Sequence, residues 1–189
     1  MLKKVRLAFP DLAEPKRFRG EGKPRYSATL LIEKNSENHK ACLQALKEAA
    51  AEQWGPENAV AAVKAVTAAG KCALKDGATK TDYDGFGDDV MFVAAHAQQG
   101  NPPTLLDGAR NRLPRDTGTI YAGCYVNASI EFWAMDKKKG FGNQLNAQLR
   151  GVQFAADGDA FGAGAPASDS EFDVIEGVET ENEEDDFLV

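Results

Sequence analysis

The chain has 189 residues, 43% of them apolar, 27% charged, with a formal net charge of −7. That is one domain of ordinary size with material for a core. It contains no apolar run of about eighteen residues, which argues against a membrane-spanning helix, and its three cysteines, Cys42, Cys72 and Cys124, are too few and too widely spaced for a disulfide framework.

The N-terminal "MLKKVRLAFPDL" is basic but has no apolar stretch behind it, so it is not expected to act as a secretory signal, and a reducing cytoplasm is the expected compartment. "KKVRLAF" alternates: Val5, Leu7 and Phe9 are expected to face a core, with Lys4, Arg6 and Ala8 outside. Pro10 is expected to end this first strand, and "EPKRFRGEGKPR" reads as a turn-rich basic loop. "YSATLLIE" alternates again, with Tyr26, Ala28, Leu30 and Ile32 on the core face.

The period changes at Ser36, a suitable N-cap. "SENHKACLQALKEAAAEQW" reads as a helix with Leu43, Leu46, Ala50 and Trp54 facing inward. Gly55 stops it. Pro56 then opens a second helix to about Thr67, striped by Val60, Val63 and Val66. A helical insertion over about 36–67 is therefore predicted between strands. "KCALKDGATKTDYDGFGDD" reads as loop, "VMFVAAHA" as a buried strand, and Thr104–Leu106 as a short strand within a long loop. "TIYAGCYVNASIEFWAM" is the clearest strand, with Cys124, Val126, Ala128 and Phe132 on one face and Tyr121, Tyr125 and Trp133 on the other. "DKKKGFGNQ" is a basic loop, "NQLNAQLR" is expected to form a short helical turn, and "GVQFAADG" a last strand.

From "GDAFGAGAPASDSEFD" onward the composition is Gly, Ala, Ser and acid, which favours disorder. All 22 basic residues precede residue 151, against 17 acidic ones, while residues 157–189 hold twelve acids and no base. The body is thus +5 and the tail −12. A basic body with an acidic arm points to nucleic acid as a partner. The predicted fold class is mainly β with an α insertion, an OB-fold-like small Greek-key barrel over residues 1–160, followed by an acidic disordered tail over 161–189. Strand count alone also fits a sandwich.

The search for reactive chemistry finds little. Nucleophilic catalysis needs a base near a nucleophile; the histidines are His39, in the first turn of a helix and expected to be solvated, and His96, at the end of an apolar strand and expected to be a satisfied, partly buried histidine. No CxxC or HxxxH spacing supplies a zinc site. Asp82, Asp84, Asp88 and Asp89 cluster in "DYDGFGDD" but lack the EF-hand spacing, and a solvated turn is the plainer reading. No catalytic residue, metal or cofactor is expected.

Basic and aromatic residues remain. The basic clusters are Lys3, Lys4, Arg6; Lys16, Arg17, Arg19, Lys23, Arg25; Arg110, Arg112, Arg115; Lys137, Lys138, Lys139; and Arg150. Most lie in or beside predicted inter-strand loops, where an OB barrel frames its groove. Phe18 and Phe141 sit inside two of these loops. Single-stranded nucleic acid is held by such a positive groove together with rings on which bases stack. The candidate phosphate contacts are Lys4, Arg6, Lys16, Arg17, Arg19, Arg25, Arg110, Arg112, Arg115, Lys137, Lys138, Lys139 and Arg150. The candidate stacking rings are Tyr121, Tyr125, Trp133, Phe18 and Phe141.

The order of "VRLAFPDL", "YSATLLIEK", "ALKDG", "DVMFVAAHA", "NPPTLLD", "IYAGCYVNASIEFWAMDKKKGFGNQL" and "GVQFAADGDAFG" resembles the small OB-fold single-stranded DNA-binding proteins of tailed bacteriophages, over most of residues 1–162. The resemblance implies sequence-tolerant, non-catalytic binding of single-stranded DNA in replication, recombination or repair. It also implies a use for the chain end. Such proteins often close on acidic residues and a final aromatic or apolar group, and Asp185, Asp186, Phe187, Leu188 and Val189 look similar. The departure is two aliphatic residues after Phe187, where the bacterial tail ends on Phe after a Pro. The partners expected are single-stranded DNA, replication or recombination proteins at the tail, and a second copy of the chain as a homodimer; no membrane is among them. Two other readings stay open: a protein-interaction scaffold or DNA mimic acting through the tail, and a metal-dependent nuclease using the carboxylates at 82–89.

Overall fold

A computed structural model describes residues 1–18, 20–136 and 142–162, with only the backbone of Phe18. The strands are β1 (Leu2–Phe18), β2 (Glu21–Glu33), β3 (Leu74–Asp76), β4 (Val90–Gln98), β5 (Thr104–Leu106), β6 (Tyr125–Met135) and β7 (Gln144–Ala156). Two helices, α1 (Glu37–Trp54) and α2 (Ala59–Ala68), stand between β2 and β3. The sheet order is β3-β4-β2-β1-β6-β7-β5. A further parallel pairing of β4 with β7, His96 opposite Gln148, closes β4, β2, β1, β6 and β7 into a barrel. Antiparallel neighbours and one parallel seam give the five-stranded OB arrangement that the alternation predicted.

The interior follows from period two. Val5 and Leu7 of β1, Tyr26, Ala28, Leu30 and Ile32 of β2, and Val93, Ala95 and Ala97 of β4 are buried in one core with Val126 and Ala128 of β6 and Leu145, Ala147, Leu149 and Val152 of β7. α1 begins where Ser36 accepts the His39 N–H at 3.2 Å. It adds Cys42, Leu46, Ala49 and Ala50 to the same core. Its predicted face is rotated slightly, since Leu43 is exposed while Cys42 and Ala49 are buried. α2 starts at Ala59 rather than Pro56 and buries Ala59 and Val66, leaving Val60 exposed. All three cysteines are buried and free, and desolvation pushes the Cys42 thiol up to about 12.

Several expectations change. β1 does not end at Pro10. It runs on to Phe18, and with β2 it forms a long hairpin where a loop was predicted. Proline is tolerated there because the register slips by one residue between the Ala8–Thr29 and Asp11–Ser27 pairs, a β-bulge in which the absent N–H is not needed. The bulge also reverses the alternation. Phe9, expected inside, adopts φ 47° and is 44% exposed. A second bulge between Leu2 and Val5 accompanies φ 49° at Lys4.

"NQLNAQLR" is strand, not helix. Gln, Leu and Ala favour helices, but Leu145, Ala147 and Leu149 also alternate, and pairing with β6 from Gln144 to Ala156 decides the matter. The "KCALKDGATK" segment holds β3 and a single 3-10 turn, Gly77–Lys80, which Asp76 caps by accepting the Ala78 N–H at 3.0 Å.

Thr119–Cys124, predicted as the start of β6, is turn instead. Gly123 has φ 103°, and a Cβ there would lie 2.0 Å from Asp159 O. The chain after β7 crosses Gly123 as a strap of residues 157–162. Arg6 holds the strap, donating from Nε to Gly123 O at 3.0 Å and from Nη2 to Asp159 O at 2.7 Å. Its guanidinium lies 4.4 Å from the Phe161 ring and 5.4 Å from that of Tyr125. Gly123→Ala should therefore lower stability in urea by at least ~2 kcal/mol, combining the positive φ with the clash. Gly100→Ala, with nothing within 4 Å of its new Cβ, should stay within ~0.5 kcal/mol of the parent. Equal stability of the two variants would count against a strap that needs Gly123.

Candidate nucleic-acid interface

Outward-facing residues of β2, β4, β6 and β7 meet at the parallel seam. Arg25 of β2, His96 and Gln98 of β4, Glu131 and Trp133 of β6, and Asn146 and Gln148 of β7 line a cleft of about 430 Å³ there. Trp133 is 43% exposed, which is unusual for the largest apolar side chain. Arg25 belongs to the β1–β2 hairpin, which also carries Lys16, Arg17 and Lys23. A strand face and the loop between the first two strands are among the parts with which an OB barrel binds oligonucleotides.

The predicted contacts separate into groups. Arg25 lines the cleft. Lys16 pairs with Asp11 at 2.8 Å, and Arg17 donates to Gly22 O at 2.9 Å, so both brace the hairpin. Arg150 pairs with Glu131 on the neighbouring strand. Lys4 is exposed, with its ammonium 6.0 Å from the Tyr125 ring. Arg110 and Arg112 are exposed in the connection after β5, outside the cleft lining. Arg115 is a strut: it donates to Leu12 O at 2.8 Å and Pro103 O at 2.5 Å and lies over the Tyr26 ring. Arg19, Lys137, Lys138, Lys139, Phe141, the Phe18 side chain and the tail from Asp185 to Val189 lie outside the described residues.

Among the predicted rings, Trp133 opens to solvent. Tyr121 is off the strand, its Oη 3.0 Å from Asp157 Oδ1 and accepting the Gly158 N–H at 3.2 Å. Tyr125 packs against Gly158 and Arg6. Both hold the strap.

A second aromatic group was not foreseen. Phe9, Tyr83, Phe86 and Phe92 form a chain of edge-on and tilted contacts with centroids 5.2–6.3 Å apart. The Lys80 ammonium sits 5.1–5.8 Å from all four rings. Burial holds its pKa below the ordinary lysine value. Tyr83 and Phe86 come from the "DYDGFGDD" segment, whose carboxylates stay exposed around them. Among the described residues no three His, Cys, Asp or Glu come together as a metal-binding group. The signal that could have found this cluster is the spacing of Tyr83 and Phe86 at i, i+3. It was masked by the acids around them.

The profile of the family described as "Enterobacter phage Enc34, ssDNA-binding protein" matches residues 1–188. The chain belongs to the Enc34 single-stranded-DNA-binding protein family. Putative protein p50 of Acyrthosiphon pisum secondary endosymbiont phage 1 is 36% identical over 182 residues, 95% of each chain. The single-stranded DNA-binding protein from bacteriophage Enc34, solved in complex with single-stranded DNA, superposes with a TM-score of 0.68 at 24% identity, over 85% of this chain and 87% of that one. Gp2.5 of bacteriophage T7, a single-stranded DNA-binding protein, gives 0.56 at 13% identity over 82% and 89%. The Enc34 family is one of DNA-binding proteins, which agrees with the expectation of no enzyme. Among the described residues no helix is long and apolar enough to cross a membrane.

In this Enc34-family chain the cleft lining includes one imidazole, His96. Burial, with Arg25 nearby, lowers the His96 imidazole from 6.5 to about 4. The unfolded chain takes up that proton near pH 6.5 and the folded protein only near 4, so acidification through this window favours unfolding. The stabilising contribution is full above pH 6.5 and about 3 kcal/mol of it is gone once pH reaches 4. His96→Gln should show a flatter fall of unfolding free energy between pH 6.5 and 4 than the parent. Parallel curves would refute a buried neutral imidazole.

Proposed function

We propose that this protein binds single-stranded DNA with little sequence preference, and that it does so during phage DNA replication, recombination or repair in the host cytoplasm. The observation that carries this is Trp133, exposed in the same cleft as Arg25 of the basic hairpin. A base stacks on the indole, and the hairpin cations hold the backbone. Membership of the Enc34 family and the likeness in fold to the Enc34 protein solved with single-stranded DNA support the reading. Neutralised phosphates release counterions, so affinity should fall steeply with salt.

Affinity for single-stranded over duplex DNA, measured at two salt concentrations, tests the function directly. No binding to oligo-dT at low salt would end it. Trp133→Ala should weaken oligo-dT binding roughly 5- to 100-fold, the loss of about 1–3 kcal/mol expected for one stacked base. Trp54 is the other indole, so Trp133→Phe should remove the larger part of any fluorescence quench.

The tail has its own proposed role. It carries −12 against a body of +5, and its acidic run steers Phe187, Leu188 and Val189 to an apolar pocket on a replication or recombination protein. The same charge competes weakly with DNA for the basic groove. Removing residues 169–189 should therefore tighten DNA binding at low salt and leave it nearly unchanged at high salt, where screening is complete. Equal affinity at low salt would exclude the competition.

A further inference from the structure

Most of the side chains that line the cleft beside Trp133 are uncharged. Along its walls stand two glutamines, Gln98 and Gln148, an asparagine, Asn146, and the neutral His96. These are groups that read the donors and acceptors of a base edge, not groups that neutralise phosphate. Glu131 is committed to Arg150.

Hydrogen-bond satisfaction singles out the same place. Among the described residues, three buried side-chain polar atoms lack a partner: Trp54 Nε1, His96 Nδ1 and Asn146 Nδ2. Two of the three belong to residues that line this cleft. Buried polar groups are normally paired, and an unpaired one costs about 1–3 kcal/mol. Two such residues on one wall, on adjoining strands, with an exposed indole beside them, mark a site whose partner comes from outside.

We propose that this cleft is a nucleobase pocket: one base stacks on Trp133 while its edge bonds to Asn146, His96 and Gln148. The inference rests on the single-stranded DNA reading and adds to it. Binding along most of the strand stays sequence-tolerant, because stacking and phosphate contacts accept any base. At this one position the protein discriminates. The unpaired atoms of Asn146 and His96 are buried, so a rotation of either side chain accompanies its bond to the base. Gln148 and His96 lie opposite each other across the parallel seam, so donors and acceptors from two strands converge on one edge.

The test uses the full-length protein and oligonucleotides of equal length made of dT, dC or dA. Wild type should bind the best of the three at least ~5-fold more tightly than the worst, the lower end of what one well-made edge contact discriminates. Asn146→Asp keeps the shape and replaces an amide donor with a carboxylate, so the order of preference should change. Asn146→Leu should bring the best oligonucleotide down to the level of the others. Ser129→Ala, on the outer face of β6 but outside the cleft lining, should keep the wild-type order. Equal thermal unfolding of the variants shows that they are folded. NMR spectra of wild type with each deoxynucleoside monophosphate should shift the Trp133 indole and Asn146 amide signals together.

Tight binding of all three oligonucleotides within twofold would overturn the pocket while leaving the DNA-binding function standing. An order of preference that survives in both Asn146 variants would assign it to the oligonucleotides' own stacking and overturn the pocket as well. Absence of any binding would bring down the function itself.

Discussion

The barrel closes at one point of parallel pairing, where His96 of β4 lies opposite Gln148 of β7. Every other pairing within the barrel is antiparallel and could exist in an open sheet. Closure at this seam brings Val93, Ala95 and Ala97 against Leu145, Ala147 and Leu149, so the core is complete only once it forms. The same closure sets the outer faces of β4 and β7 side by side and creates the polar cleft. Core and site thus depend on one long-range contact, and neither can be altered there without the other.

Bulges do the rest of the positioning. Positive φ values at Lys4 and Phe9 mark the two bulges of β1, and the second moves Phe9 off its expected face. Phe9 thereby joins Tyr83, Phe86 and Phe92 around Lys80 on the outside of the barrel. Arg6, between the bulges, spends its donors on Gly123 and Asp159 and fixes the strap of residues 157–162. A residue that reads as a surface cation in sequence is therefore a clamp. Arg115 behaves in the same way toward Leu12 and Pro103. Arginine suits both tasks, because its planar fork binds carbonyl oxygens as readily as phosphate and its face stacks on rings.

The core was legible from the chain because its signal is local. Tyr26, Ala28, Leu30 and Ile32 alternate in sequence and are buried together, and Ser36 announces a helix that begins one residue later. Errors fell where two local signals conflict. Pro10 promised a strand end but sits at a bulge. Gln144–Arg150 suits a helix by composition and a strand by alternation, and only the partner strand β6 decides between them.

The site was legible in type but not in membership. The sequence by itself determined an alternating β core, a helical insertion, a basic body with an acidic end, and an indole on a polar strand face, since these depend on spacing and charge along the chain. Only the tertiary structure decided which of the cations and rings are spent on internal contacts, and which polar residues join Trp133. Gln98, Asn146 and Gln148 carry no signal of their own in sequence. They line one cleft because barrel closure places residues about fifty positions apart on one wall, and pairing over such distances is set by the packing of the whole core, not by any local pattern.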